Sequence, residues 1–278
     1  MTPINNQAKG SPPDCILATD DDIAMACDCR GSGEPLLLFI HGWTCRRSYW
    51  APQLSHFASR YRVAAPDLAG HGETGTGRRT RWTVDGLARD MENAAGALGA
   101  DNIILIGHSM GGAVALETAR GLKQRASGVV LVDTFVIDYG GLAPEVQESI
   151  AAPFETDFPA AIAALVEQTS TEATPPELKE RLTREMSTAD TAWALPLWRD
   201  LLAWNPAPAF SDLQVPIHAI NGALIPGSAR ERCAPHFNEA IIAGAGHFPQ
   251  MEDPDGFNRV LEQVLHDLCA GLPESMGS

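Results

Sequence analysis

The chain has 278 residues, of which 45% are hydrophobic and 20% are charged, a composition typical of a globular protein with a full core. Its formal net charge is −15, from 35 acidic and 20 basic residues. This balance argues against nucleic acid or an anionic membrane surface as a partner, because both require clustered Lys and Arg.

The ends of the chain carry few folding signals. Residues 1–14 are polar and proline-rich and lack the apolar core of a signal peptide, and no apolar run reaches membrane-spanning length. We expect loose tails at 1–14 and 271–278. We also expect no membrane partner and a cytoplasmic location.

The cysteines are spaced without a paired C-x-x-C unit and without a histidine at zinc-site spacing. Cys27 and Cys29 lie two apart in a strand-like stretch, where neighbours on one face are poorly placed to bridge each other. We therefore expect small reduced thiols and no metal. The six positions are Cys15, Cys27, Cys29, Cys45, Cys233 and Cys269.

Short apolar runs bounded by turn residues predict strands, and longer stretches with helical periodicity predict helices. The run LLLFI at 36–40 is typical of a strand buried on both faces. The predicted strands are 15–19, 23–29, 36–40, 61–65, 102–106, 128–133, 217–220 and 239–242. The predicted helices of the same regions are 48–59, 84–98, 113–122, 230–236 and 254–268.

This alternation of strands and helices predicts an α/β fold, with a mostly parallel sheet covered by helices on both faces. The pattern changes between 137 and 206, where helix-like stretches and prolines occur without a convincing strand. We interpret 137–206 as an inserted helical cap. The core then consists of 15–136 and 207–270.

One motif carries a specific chemistry. Residues Gly107-His108-Ser109-Met110-Gly111 fit G-x-S-x-G and lie between a buried-type strand and a helix rich in small residues. That setting is typical of a nucleophile elbow, a strained turn that lifts the serine hydroxyl clear of the sheet at a helix N-terminus. Ser109 is therefore the candidate nucleophile.

With this elbow, four motifs resemble the α/β-hydrolase superfamily, specifically its small cap-bearing members, over about residues 15–269. They occur in that superfamily's order: His41-Gly42-Trp43, then Asp67-Leu68-Ala69-Gly70-His71-Gly72, the elbow at Ser109, and Gly246-His247-Phe248. The resemblance implies an eight-stranded type of sheet and a catalytic layout with a small-molecule substrate. The sequence has no G-x-G-x-x-G after a first strand and no P-loop, so we expect no metal, flavin or nucleotide cofactor.

His247 is the candidate general base, because it lies in a glycine-rich run ahead of the last helix, and a serine hydroxyl needs an adjacent base. Many members of the superfamily carry the acid after strand seven, but Ile225 stands at that place here. The alternative in some members is an acid after strand six. Asp133 ends that strand and is the first candidate, with Asp138 further along the loop as the second.

The resemblance also implies an oxyanion hole formed by the backbone N–H groups of Trp43 and Met110. The expected function is a serine hydrolase that cleaves a small or medium carboxylic ester through an acyl-enzyme. Three alternatives stay open: a C–C bond hydrolase or perhydrolase with the same triad, a cofactor-independent dioxygenase, and a receptor-like protein without turnover. Epoxide hydrolases and haloalkane dehalogenases need Asp at the elbow, where this chain has Ser109.

Overall fold

The computed structural model describes residues 12–19 and 21–270. The predicted loose tails at 1–14 and 271–278 lie outside the described residues, apart from 12–14. Within the described residues, no helix combines the length and the apolar character that a membrane crossing requires.

Eight strands form one sheet in the order β1-β2-β4-β3-β5-β6-β7-β8. Strand β1 pairs antiparallel with β2, β2 pairs antiparallel with β4, and the remaining pairs are parallel. The predicted α/β fold with a mostly parallel sheet is confirmed. The strands are β1 Cys15–Ala18, β2 Ala24–Arg30, β3 Leu36–Ile40, β4 Arg62–Pro66, β5 Ile103–His108, β6 Ala126–Val132, β7 Ile217–Asn221 and β8 Asn238–Ile241.

Helices cover both faces of this sheet. Every residue of β3 and β5 is buried, as expected for central strands that are covered on both sides. The helices of the sheet region are α1 Ala51–Phe57, α2 Val84–Ala97 and α3 Met110–Leu122, followed after β7 by α9 Gly227–Cys233, α10 Pro249–Glu252 and α11 Pro254–Ala270. Side chains of α2 and α3 pack in the core on one face, and those of α1 and α11 in the core on the other.

The chain between β6 and β7 is helical. It contains α4 Pro144–Thr156, α5 Phe158–Gln168, α6 Pro176–Met186, α7 Thr191–Ala203 and α8 Ala207–Asp212. Trp43, in the loop after β3, joins these helices to the sheet region. Its ring stacks on Trp198 of α7 at 4.5 Å between centroids, and its Nε1–H donates to the carbonyl of Ala194 at 2.9 Å.

Several predicted boundaries were wrong by two or three residues. Helix α3 begins at Met110 and not at 113, because the helix starts directly from the strained turn at Ser109. Strand β5 continues to His108, since its hydrogen bonding to β6 holds Gly107 and His108 in the sheet despite their low strand propensity. Helix α9 covers Gly227–Cys233 and not 230–236, because Pro226, with no N–H to donate, is its N-cap.

Candidate active site

The elbow at Ser109 has the strained geometry that the motif predicts. Ser109 has φ 53° and ψ −124°, a region that non-glycine residues rarely adopt, and it separates β5 from the first residue of α3. Its N–H donates to the carbonyl of Val132 at 2.9 Å, and its own carbonyl accepts from Gly112 N–H at 2.8 Å. The turn is therefore fixed on both sides by main-chain hydrogen bonds.

The glycines around the elbow are required by close backbone contacts. A Cβ at Gly107 would lie 2.1 Å from the carbonyl oxygen of Gly111, and one at Gly111 would lie 2.3 Å from the carbonyl oxygen of Ile40. Contacts this short between a Cβ and main-chain atoms force the backbone to move. The small residues of G-x-S-x-G therefore allow β5, α3 and β3 to approach each other.

We predict that Gly107→Ala lowers the free energy of unfolding by about 2–3 kcal/mol, the range of overpacked sites that cannot relax easily. The matched control is Gly96→Ala, because Gly96 is exposed in α2 and its added Cβ would meet nothing within 4 Å. The control should gain about 0.5–1 kcal/mol through helix propensity. Urea unfolding followed by fluorescence measures both, and equal stabilities of the two variants would contradict the prediction.

The predicted base and acid are in direct contact. The Nδ1 atom of His247 lies 2.7 Å from Oδ2 of Asp133, and both side chains are buried. A carboxylate accepts only, so the proton of this hydrogen bond is assigned to Nδ1 of His247, which leaves Nε2 as an acceptor. This is the tautomer that a general base needs.

Asp133 is positioned by the two strands that flank it. It follows β6 in the left-handed conformation at φ 46°, and its N–H donates to the carbonyl of Ile220 at 3.1 Å. Its second carboxylate oxygen accepts from Gly222 N–H at 2.7 Å. The loop after β7, where many members of the superfamily carry the acid, thus supplies an amide that holds Asp133.

The other acid candidates lie elsewhere. Asp138 pairs with Arg232 instead of His247. Ile225 is a buried apolar side chain, with 6% of its surface exposed. Of the three positions weighed from the sequence, the structure brings only Asp133 to His247.

The loop that carries His247 is fixed by two contacts that the sequence did not predict. His247 N–H donates to the carbonyl of Thr169, at the end of α5, at 2.8 Å. The carbonyl of His247 accepts from Nε2–H of His108 at 2.7 Å. Burial, with His247 nearby, holds the pKa of His108 well below its usual range, so the ring stays neutral. His108, the elbow residue before Ser109, therefore anchors the loop that carries His247.

The loop after β3 carries Trp43 beside the elbow. His41 holds this loop in place. Its Nε2 accepts from Leu68 N–H at 3.0 Å, and its Nδ1–H donates to the carbonyl of Gly42 at 2.8 Å. Burial lowers the pKa of His41 to about 4, which keeps Nε2 free to accept at neutral pH. A Cβ at Gly42 would come within 3.2 Å of Ser109 Cβ, so this loop passes close to the candidate nucleophile.

The two N–H groups proposed for the oxyanion hole are free to act as donors. Within residues 12–19 and 21–270, neither Trp43 N–H nor Met110 N–H donates to another backbone group. Met110 is the first residue of α3, where the N–H groups have no partner within the helix.

Ser109 and His247 line one small cavity of about 30 Å³. Its other walls are mostly apolar and come from the sheet region, from the loop after β6 and from α5, α6 and α7. They include Trp43, Val136, Ile137, Tyr139, Leu165, Val166, Met186, Trp198 and Phe248. A mostly apolar lining around a few polar groups is typical of sites for small molecules.

The chain belongs to the alpha/beta hydrolase family, whose model matches residues 37–260. Human epoxide hydrolase 4 is 40% identical over 123 residues, which cover 39% of this chain and 33% of that protein. Lipase LipV of Mycobacterium tuberculosis is 32% identical over 121 residues, which cover 44% of this chain and 45% of that protein. The chain therefore spans a third to a half of the length of these curated relatives.

A solved structure matches over almost the whole chain. The thermophilic esterase from Thermogutta terrifontis superposes with a TM-score of 0.79 at 26% identity, covering 91% of this chain and 98% of that one. The suspected resemblance to the α/β-hydrolase superfamily is thus confirmed at the level of family and fold.

Proposed function

We propose that this protein is a serine hydrolase that cleaves a small or medium carboxylic ester with Ser109, His247 and Asp133 as its triad. The observation that carries the proposal is the 2.7 Å contact between His247 Nδ1 and Asp133 Oδ2, beside a serine on a strained elbow. The similarity in fold to the Thermogutta terrifontis protein, which is described as an esterase, supports the same reaction class.

The proposed reaction has two halves. His247 Nε2 takes the proton of Ser109 as the hydroxyl oxygen attacks the acyl carbon, and the imidazolium returns this proton to the leaving alcohol. His247 then takes a proton from water, which attacks the acyl-enzyme, and returns it to Ser109 as the acid leaves. Asp133 keeps the imidazole in the required tautomer and stabilises its cationic form in both halves.

We assign the oxyanion hole to the N–H groups of Trp43 and Met110. Both flank Ser109 in the structure, one on the loop after β3 and the other at the start of α3. Donors of this kind stabilise a charge that develops only in the transition state, and each contributes about 3 kcal/mol.

We also propose that residues 137–206 act as a cap on a core formed by 15–136 and 207–270. Side chains from α5, α6 and α7 form one side of the cavity, and Trp43 connects these helices to the sheet region. The apolar cavity walls favour an uncharged acyl or alcohol group of modest size.

The similarity to an epoxide hydrolase does not favour epoxide opening here. That reaction requires a carboxylate nucleophile at the elbow, and this chain has Ser109. The serine elbow and the buried histidine–aspartate pair support acyl transfer.

The decisive experiment is intact-mass analysis after treatment with a fluorophosphonate, in parallel on the native chain and on Ser109→Ala. We expect one adduct on the native chain and none on the variant, because only an activated serine hydroxyl attacks phosphorus quickly. A panel of p-nitrophenyl esters should then show a burst of one equivalent of nitrophenol wherever deacylation is slow. A correctly folded native chain that takes up no label would overturn the proposal, and oxygen uptake with a hydroxyquinolone would then test the dioxygenase alternative.

A further inference from the structure

Three cysteines meet at the antiparallel edge of the sheet. Cys15 of β1 lies directly opposite Cys27 of β2, and Cys29 follows two residues along β2 on the same face. The sulfur of Cys29 is 2.7 Å from that of Cys15 and 3.5 Å from that of Cys27. All three sulfur atoms lie within 4.8 Å of one another.

The surroundings of the three sulfurs differ from those of an ordinary buried thiol. Cys27 is fully buried in the core, whereas Cys15 and Cys29 are half-buried and accessible from the edge of the sheet. The carboxylate of Asp14 accepts a hydrogen bond from Cys29 N–H at 3.0 Å, so a negative charge lies near the cluster. The cluster therefore combines a buried ligand, two accessible ligands and a neighbouring negative charge.

We propose that Cys15, Cys27 and Cys29 bind one thiophilic divalent cation of the Zn²⁺ class. Zn–S bonds of about 2.3 Å in a tetrahedron place the sulfurs roughly 3.8 Å apart, a spacing that these side chains reach through small rotations. A water molecule supplies the fourth ligand, as in Zn²⁺ sites with three protein ligands.

The binding step is an acid–base step without electron transfer. Each thiol that still carries a proton releases it to solvent as its sulfur donates a lone pair to the metal, so binding of one Zn²⁺ frees up to three protons. The complex of one cation with three thiolates and one water molecule carries a net charge of −1.

The site is separate from the proposed active site. Strands β4 and β3 lie between β2 and the elbow strand β5, a separation of roughly 14 Å at about 4.8 Å per strand. The metal would tie the edge strand β1 to β2 and stabilise that end of the sheet, with no part in ester cleavage. The proposal therefore stands or falls independently of the proposed function.

The test is a titration of the fully reduced, metal-free chain with Co²⁺ under argon, followed by absorbance. We expect thiolate-to-cobalt charge-transfer absorption in the near ultraviolet that saturates at one Co²⁺ per chain and disappears when Zn²⁺ is added. Cys15→Ser and Cys29→Ser should each lower the affinity for Co²⁺ at least about tenfold. Zn²⁺ should raise the melting temperature of the native chain and leave that of either variant unchanged.

The matched control is Cys269→Ser, because Cys269 is also half-buried but lies in α11, outside the cluster. It should bind Co²⁺ as the native chain does. Far-ultraviolet circular dichroism of every variant shows whether the fold is kept, and Cys29→Ala replaces any serine variant that does not fold. The proposal is overturned if the reduced native chain gives no charge-transfer band, or if the band persists at full strength without Cys15 or Cys29.

Discussion

Replacement of Ser109 by alanine is expected to lower kcat for an activated short-chain ester by a factor on the order of 10⁵. The loss is this large because the substitution removes the covalent route, and only binding and the oxyanion hole remain to assist direct attack by water. KM should stay within about threefold, since the cavity walls and the backbone N–H groups of Trp43 and Met110 are unchanged. Initial rates with p-nitrophenyl acetate and p-nitrophenyl butyrate measure both constants.

The matched control for this variant is Ser127→Ala. Ser127 lies in β6, where its hydroxyl contacts Asn102, and it is absent from the walls of the cavity. Its loss should leave kcat within about twofold of the native value. If Ser109→Ala retained more than a hundredth of the native kcat after repurification, hydrolysis would not proceed through Ser109, and a directly activated water would be the better account.

The parts of the fold that were predictable from the sequence are those in which local pattern and tertiary environment agree. The run LLLFI became the fully buried β3, and the strand–glycine–serine–glycine–helix order at Ser109 became an elbow with the expected strained backbone. In both cases neighbouring residues alone restrict the backbone: continuous apolar residues require burial on two faces, and small residues permit a turn that larger ones would block.

The proposed acid, Asp133, could be inferred from the sequence only by analogy. Asp133 is polar, and it follows an apolar strand in the way that many loop residues do, so its local pattern does not distinguish it from a capping residue. Its partner His247 is 114 residues away in sequence. The amide of Gly222, which holds the other carboxylate oxygen, comes from a third segment of the chain. Such contacts depend on strand order, which periodicity does not encode.

The anchoring role of His108 and the cysteine cluster were missed for related reasons. His108 fills the variable position of G-x-S-x-G, where the motif itself specifies no chemistry, yet its Nε2–H fixes the carbonyl of His247. The expectation of no metal rested on spacing along the chain. The proposed thiolate site instead depends on the register that places Cys15 opposite Cys27, and a one-residue shift of β1 would turn Cys15 to the other face.

Asp133→Asn is expected to lower kcat by about 10³- to 10⁴-fold with little loss of stability. An asparagine fits the same space, and its amide oxygen can still accept from Gly222 N–H. Its NH₂ group would then face Nδ1 of His247, which must become the acceptor and leave the ring proton on Nε2. In that tautomer Nε2 cannot take the proton of Ser109, so the base is lost although every side chain keeps its position.

The matched control is Asp138→Asn, which changes the same functional group five residues further along the same loop. Asp138 pairs with Arg232 and not with His247, so its variant should keep kcat within about threefold of the native value. Urea unfolding of both variants separates a loss of catalysis from a loss of fold. If Asp133→Asn kept more than a tenth of the native kcat while Asp138→Asn lost more, the acid would be Asp138, reached through a movement of the loop after β6. The contact at 2.7 Å predicts the opposite order, because a carboxylate already bonded to Nδ1 needs no rearrangement to stabilise the imidazolium.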